Sequence, residues 1–368
     1  MVVNMQVNNV IKRYIESEIA STLFEACAVC GITRLSRLTN LDKTGVKVWS
    51  ACRPASMLWQ VSAGKGLNES DAIISAIMES LEGYAVECFL RSKSVGLYSQ
   101  PTNPINLNLI STESFKLIGS QFSKKPLYRL WIDAIELKTG SRVQVPLHWA
   151  YLCNDIISSG WVTNGLSAGL SRKSAISHGL YELIERHYLS DVFVTSKADI
   201  DKLKVLDINT LPDSFCEFRK LIDFPGAEVN FLICNQAPVP TVWCIVFDFD
   251  PPCTNLYVNF GSKSSEYLKV SIQASFTEAC QQRVSQLQGS REDLSPNVPI
   301  HNRDQISRLK NFILTLNSIS YYDILMPDVN SLHEFLPGPV YQIELKTELP
   351  FRFFKHVAPV ALFKHSIF

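Results

Sequence analysis

The chain has 368 residues, 46% hydrophobic and 19% charged, with thirty-five Lys and Arg against thirty-five Asp and Glu. Those proportions exclude a disordered chain, and the charge balance offers no overall field to recruit nucleic acid or an anionic membrane. The start, MVVNMQVNNVIKRYIESEIA, has no basic segment followed by a continuous apolar one, and no run approaches the ~18 apolar residues of a membrane span, so a cytoplasmic protein is expected.

In chain order, residues 9–30 have helical periodicity that stops near Gly31. GVKVWSACRP (45–54) and SMLWQVSAG (56–64) read as a strand pair around a turn at Pro54. LNESDAIISAIMESLEGYAVECFL has helical spacing, with Asn68 or Ser70 as its cap. Residues 97–126 are loop-like, and LYRLWIDAIEL and RVQVPLHWAYL form a hairpin about KTGS. Ser171 or Ser174 is placed to start the next helix, and 199–229 reads as irregular. VNFLICN, VPTVWCIVFDF and NLYVNFG predict strands, followed by a helix from about Glu266 to Gln288. The last sixty residues alternate short apolar runs with Pro and Asn, and FRFFKHVAPVALF predicts a strand.

The ten cysteines lie mostly alone in apolar stretches, which fits a reducing compartment. Cys27 and Cys30 form one C-x-x-C with no second pair at zinc spacing and are read as buried thiols. His148, His178 and His187 are read as packed or surface histidines, and the tryptophans as core.

One layout recurs three times. SAIMESLEGY carries Glu79 and Glu82, HGLYELIERH carries Glu182 and Glu185, and ASFTEACQQR carries Glu278 and Gln281. Each follows a segment read as a glycine-containing turn: SAGKG (62–66), GLSAG (165–169) and NFGSK (259–263). Gly66 precedes Glu79 by thirteen residues, and Gly169 precedes Glu182 by the same distance. Residues three apart share a helix face, so each pair can present two side chains to one cation. Hard carboxylate oxygens suit magnesium, which completes its shell with water and phosphates. Three cations that could bind a nucleotide are nearby: Lys65 lies in the first glycine segment, Arg186 follows Glu185, and Arg283 stands two residues beyond Gln281. Backbone N–H groups in such turns can receive phosphate oxygens. No G-x-x-x-x-G-K-[ST], G-x-S-x-G or H-E-x-x-H is present. The pattern predicts a magnesium–nucleotide site built from several helices.

In order and spacing, VSAGKG…SAIMESLEGY, TNGLSAG…GLYELIERH and FTEACQQR…GSRED resemble the signature segments of the YcaO family over roughly residues 30–294, with weaker similarity beyond. The resemblance implies ATP bound through carboxylate-held Mg2+, with Glu79, Glu82, Glu182, Glu185 and Glu278 as metal ligands and Ser167, Arg186, Gln281 and Lys65 at the nucleotide. Arg13 and Ser21 lie in the first helix, where family members contribute nucleotide contacts. The chemistry that the resemblance implies is addition of a nucleophile to a peptide carbonyl, attack of the resulting oxyanion on the γ-phosphate of ATP, and departure of the oxygen as phosphate.

The front segment GITRLSRLTNLDKTGVKVWSACRP is most similar to members that work with a TfuA partner and make thioamides; others, with an E1-like or docking partner, make azolines. The end, KHVAPVALFKHSIF, lacks the P-x-P-x-P of many ring-forming members. Three positions depart from the family pattern: Gly83 where an Arg commonly follows the second Glu, Leu170 where a polar residue follows "AG", and Ala274 where an Arg stands four residues before Glu278.

The implied partners are a ribosomal precursor peptide and a TfuA-like or E1-like protein, with a second copy of the chain as a further candidate. Neither nucleic acid nor membrane is expected. A catalytically weak scaffold or peptide-binding subunit is the alternative reading. The expected fold is mixed α/β, with residues 1–368 a single catalytic unit whose strands back three acidic helices lining a cleft, and with 295–368 part of that unit.

Overall fold

The computed structural model describes residues 5–88, 96–105, 130–147, 163–194, 201–252, 256–289, 303–324 and 331–358; His148, Cys153 and Cys253 lie outside them. The single helix expected over 9–30 is two, α1 (Met5–Tyr14) and α2 (Ser17–Cys30), because Glu16 is extended at φ −61° and ψ 149°. Gly31 ends α2 in the left-handed conformation at φ 79°, its N–H on the Cys27 carbonyl.

The first sheet is β1 (Arg34–Arg37), β2 (Lys47–Cys52) and β3 (Val61–Gly66), all antiparallel, with Val48 opposite Lys65. Residues 56–60, expected to extend the second strand, belong instead to a loop clasped by Glu87. Its carboxylate accepts from Arg53 at 2.6 and 2.7 Å, from the Ser56 hydroxyl and from the Met57 and Leu58 amides. α3 (Glu69–Cys88) follows β3, with the Asn68 side chain accepting from the Asp71 amide as its cap.

The hairpin read around KTGS is present as β5 (Trp131–Glu136) and β6 (Arg142–Pro146). It joins a sheet ordered β4 (Leu97–Tyr98), β5, β13 (Tyr341–Glu344), β14 (Arg352–Val357) and β7 (Leu166–Gly169). β7 leads into α4 (Arg172–Val194), which starts where the Ser171 hydroxyl accepts from the Ser174 amide. The third sheet is ordered β11 (Val258–Ser264), β10 (Thr241–Asp248), β9 (Ala227–Cys234), β8 (Leu203–Leu206) and β12 (Ser318–Ile319). β8 and the short α5 (Cys216–Ile222) lie in the stretch expected to be irregular. α6 (Leu268–Gln288) returns over β11 and β10, and α7 (Arg303–Leu314) was not legible among the short apolar runs.

The three glycine segments are strands, not turns. Each acidic helix folds back along the strand before it, and glycine removes the side chain that would hold the two apart. A Cβ on Gly64 would lie 2.0 Å from the Ala76 nitrogen, and one on Gly261 would lie 2.1 Å from the Ser275 carbonyl oxygen. At Gly169 it would meet the Ser174 hydroxyl at 2.6 Å and the Ala175 nitrogen at 2.8 Å. The three β–α units interlock in a ring: α3 packs on β7, α4 on β11, and α6 on β3.

Trp49, Trp243, Phe276 and Phe353 are buried in the apolar clusters beneath this ring. Cys27 and Cys30 are buried free thiols, and burial raises both, Cys30 to about 11, so neither is a reactive thiolate at neutral pH. Among the described residues, no helix is long and apolar enough to cross a membrane.

Candidate active site

The ring of contacts is closed by the second residue of each Glu-x-x-Glu/Gln pair. Glu82 on α3 accepts from the Ala168 amide of β7. Glu185 on α4 accepts from the Ser262 hydroxyl at 2.6 Å and from the Ser264 amide at 3.1 Å, both on β11. Gln281 on α6 donates to the Ala63 carbonyl of β3. The second position therefore ties each helix to the next unit. The first positions, Glu79, Glu182 and Glu278, lie one helical turn earlier on the same faces.

These helices bring the five predicted carboxylates into one electrostatic neighbourhood. Burial pushes the Glu82 carboxyl well above its usual range, and the charges of Glu182 and Glu79 push it further. Burial also raises Glu182, with Glu185 adding to it, against the pull of Arg186, Lys355 and the Gly165 amide, which donates to Glu182 at 3.0 Å. Glu278 behaves oppositely. Burial would raise it, but Lys65 at 3.1 Å, Arg186 and Lys263 hold it below the usual range.

Arg186 lies among Glu185, Glu278 and Glu182, whose charges overcome the cost of burial and hold its guanidinium firmly protonated. It approaches Glu185 at 3.6 Å, and its Nε is buried without a hydrogen-bond partner. Behind Glu182, the buried Lys355 ammonium donates to the Asn164 carbonyl at 2.7 Å; burial lowers it to about 8, while Glu182 favours its charged form.

Not every predicted residue reaches the cleft. Arg283 is buried away from it, with its guanidinium on both oxygens of Asp42 at 2.9 Å, on Asp248 at 2.8 Å and on the Leu256 carbonyl. Its spacing two residues beyond Gln281 turns it about 200° around the helix, onto the core side. It is a structural cation. Ser167 is fully buried, its hydroxyl donating to the Phe354 carbonyl. Arg13 is exposed on α1, stacked over Tyr14 at 5.2 Å, and Ser21 is exposed on α2.

Two residues join the site without having been expected there. Lys263 of β11 acts electrostatically on Glu82, Glu278 and His178. His178, expected to be an ordinary packed or surface histidine, is solvent-accessible beside this group. Lys263, the enclosing protein and Lys65 lower it to about 3, so it is a neutral imidazole at physiological pH. The alternation of buried Ser262 and Ser264 around Lys263 was the available signal, but NFGSK read as a turn concealed it.

Among the described residues, no three His, Cys, Asp or Glu side chains already converge as a ready cation cage. Protein donors engage the acids instead: Lys65 on Glu278, the Gly165 amide on Glu182, and Ser262 with Ser264 on Glu185. The donor set nevertheless fits Mg2+ and a polyphosphate. Crowding of Glu79, Glu82 and Glu182 is relieved by a divalent cation, whereas the unpartnered Arg186 Nε and the lysines suit phosphate oxygens.

Comparison with known proteins places this geometry. The family model for YcaO cyclodehydratase, ATP- and Mg2+-binding, matches residues 63–327. An uncharacterized protein of Methanothermobacter thermautotrophicus is 30% identical over 75% of this chain and 72% of its own. An uncharacterized protein in the tfuA 3′ region of Rhizobium leguminosarum bv. trifolii is 26% identical over 73% of this chain and 65% of its own. Among solved structures, YcaO from Methanopyrus kandleri bound with AMPPCP and Mg2+ superimposes with a TM-score of 0.70 at 19% identity, over 98% of this chain and 95% of that one. The Escherichia coli microcin synthetase McbBCD complex with pro-MccB17 bound gives 0.60 at 14% identity, over 88% of this chain and 87% of the other. With the family model spanning all three acidic helices, the chain belongs to the YcaO family, whose members bind ATP and Mg2+.

Proposed function

We propose that this protein activates a backbone amide of a ribosomally made peptide at the expense of ATP, giving a thioamide or an azoline. The observation that carries the reading is that Glu79, Glu82, Glu182 and Glu278, from three helices, share one electrostatic neighbourhood with Arg186, Lys65 and Lys263. ATP and Mg2+, when bound, supply the phosphoryl group that removes the amide oxygen. The chain's part is binding and orientation. Glu79, Glu82, Glu182, Glu185 and Glu278 would hold Mg2+, and Lys65 and Arg186 would neutralise phosphate oxygens. Gln281 holds α6 on β3, so its contribution to the nucleotide is positional. Ser167 likewise supports the cleft from beneath. Residues 1–368 are proposed to act as one catalytic unit, since each acidic helix is tied to the strand of another unit.

The relative in the tfuA 3′ region favours a TfuA-like partner and a thioamide product. A microcin synthetase complex as structural neighbour keeps ring formation and an E1-like partner as the competing outcome. Ala274 and the exposed Leu170 favour the second reading, a weak or inactive scaffold subunit.

The test is calorimetric titration of AMPPCP with Mg2+ into the wild type and into Glu79→Gln and Glu182→Gln. Binding that needs Mg2+ and is lost in both variants is expected. Incubating a candidate precursor peptide with ATP, a sulfide source and a TfuA-like or E1-like partner then separates the products by mass: sulfur replacing oxygen for a thioamide, one water lost for an azoline. Nucleotide binding without peptide-dependent ATP consumption in the presence of the partner leaves the scaffold reading.

A further inference from the structure

Lys263 is a half-buried cation on β11 whose ammonium donates to no protein acceptor among the described residues, in contrast to Lys65, which is engaged on Glu278 at 3.1 Å. Lys263 stands among Glu82 and Glu278, on which its charge acts, yet it is hydrogen-bonded to neither, so its donors are available to a ligand oxygen. Its neighbours fix where it stands. Ser262 and Ser264 hold Glu185 from either side of it, which pins the strand.

Gly261 and Lys263 share the strand face that meets α6. A Cβ on Gly261 would lie 2.1 Å from the Ser275 oxygen, 2.5 Å from the Ala279 nitrogen and 2.8 Å from the Glu278 Cβ, so Gly261 is level with residues 275–279. Only residues 265–267 separate strand from helix, so the two run in opposite directions. Two residues along the strand cover ~6.6 Å, which corresponds to about four residues of helix. Lys263 therefore stands level with about residues 271–275, a stretch that includes Ala274, which lies one turn before Glu278 on the same helix face. Ala274 is the position where the family pattern has an arginine.

We propose that Lys263 is a phosphate-binding residue of the nucleotide site, supplying from strand β11 the cation that helix α6 lacks at Ala274. The ligand class is the polyphosphate of a Mg2+-bound nucleotide, met by Lys263 and Lys65, both of which act on Glu278 and on neutral His178. The inference rests on the nucleotide reading given above and removes the main ground for the inactive-scaffold alternative.

Calorimetric titration of AMPPCP in Mg2+ into the full chain tests it. Lys263→Met is expected to weaken binding roughly tenfold to a hundredfold, the scale of a lost charge-assisted contact. Lys263→Arg is expected to stay within about threefold of wild type. Adding Ala274→Arg to Lys263→Met is expected to restore most of the loss, which a merely structural lysine would not allow. Wild-type affinity in Lys263→Met overturns the inference, and so does a loss that Ala274→Arg leaves untouched. A wild-type chain that binds no Mg2+–AMPPCP overturns the nucleotide reading itself, and this inference with it.

Discussion

His356 is fully buried on β14, with Nδ1 3.3 Å from the Gly165 carbonyl oxygen and Nε2 3.4 Å from the Gln342 side chain. Burial lowers it to about 4, against 6.5 for the exposed imidazole. The folded state thus refuses a proton that the unfolded chain accepts, and the stability it contributes is present above pH 6.5. That stability falls as the pH drops from about 6.5 to about 4, by roughly 3 kcal/mol in all. Urea midpoints measured across this window are expected to decline more steeply in wild type than in His356→Gln; parallel curves would sink the assignment. Arg283 makes a second case at the same scale. With buried Asp42 stripped of its guanidinium, and Asp248 left with only Lys43 at 2.8 Å and the Asp250 amide, Arg283→Met is expected to cost roughly 3–5 kcal/mol in denaturant unfolding. Its folded fraction should retain wild-type Mg2+–AMPPCP affinity, because the guanidinium lies on the core side of α6. A large affinity loss at unchanged stability would return Arg283 to the nucleotide. Sequence spacing alone could not separate Arg283 from Arg186. Both follow a Glu-x-x-Glu/Gln pair closely, and only the helix rotation and the distant Asp42 and Asp248 decide which one faces the cleft.

At the scale of elements, the acidic helices were legible because Glu-x-x-Glu/Gln and the surrounding apolar periodicity survive any tertiary setting. Their glycine segments were misread for a physical reason. Glycine marks both turns and sites of close backbone approach, and only the helix packed on Gly64 or Gly261 shows which applies. Gly64→Ala and Gly261→Ala each drive a methyl group into helix backbone, which cannot rotate away, so the strand must lift from its helix. Each is expected to destabilise the protein by roughly 2–4 kcal/mol and to weaken Mg2+–AMPPCP binding, since the lift displaces Glu79 or Glu278. Gly289→Ala is the control. Gly289 has φ 61° and nothing near its would-be Cβ, so only about 1 kcal/mol of backbone strain and no loss of affinity are expected. Equal effects at Gly289 and Gly64 in thermal unfolding and titration would contradict close packing as the role of the strand glycines.

For the whole molecule, the mixed α/β class followed from alternating strand and helix signals, but the cyclic contact of three units did not. It depends on pairings such as Gln281 with Ala63, 218 positions apart, which no local pattern encodes. The same cycle makes a prediction about cooperativity. A ligand held jointly by α3, α4 and α6, as proposed, needs all three helices, and each is fastened to a strand in a different sheet, so unfolding any one of those sheets breaks the site. Binding should then stabilise the chain as a unit, by about 2.7 kcal/mol at a free ligand concentration of a hundred times Kd. A thermal melt is expected to show one transition that Mg2+–AMPPCP moves upward and excess EDTA returns to its unliganded position. If two transitions appear and only one responds, the non-responding part folds apart from the site. The single-unit organisation of residues 1–368 would then give way to a catalytic core with an independent appendage.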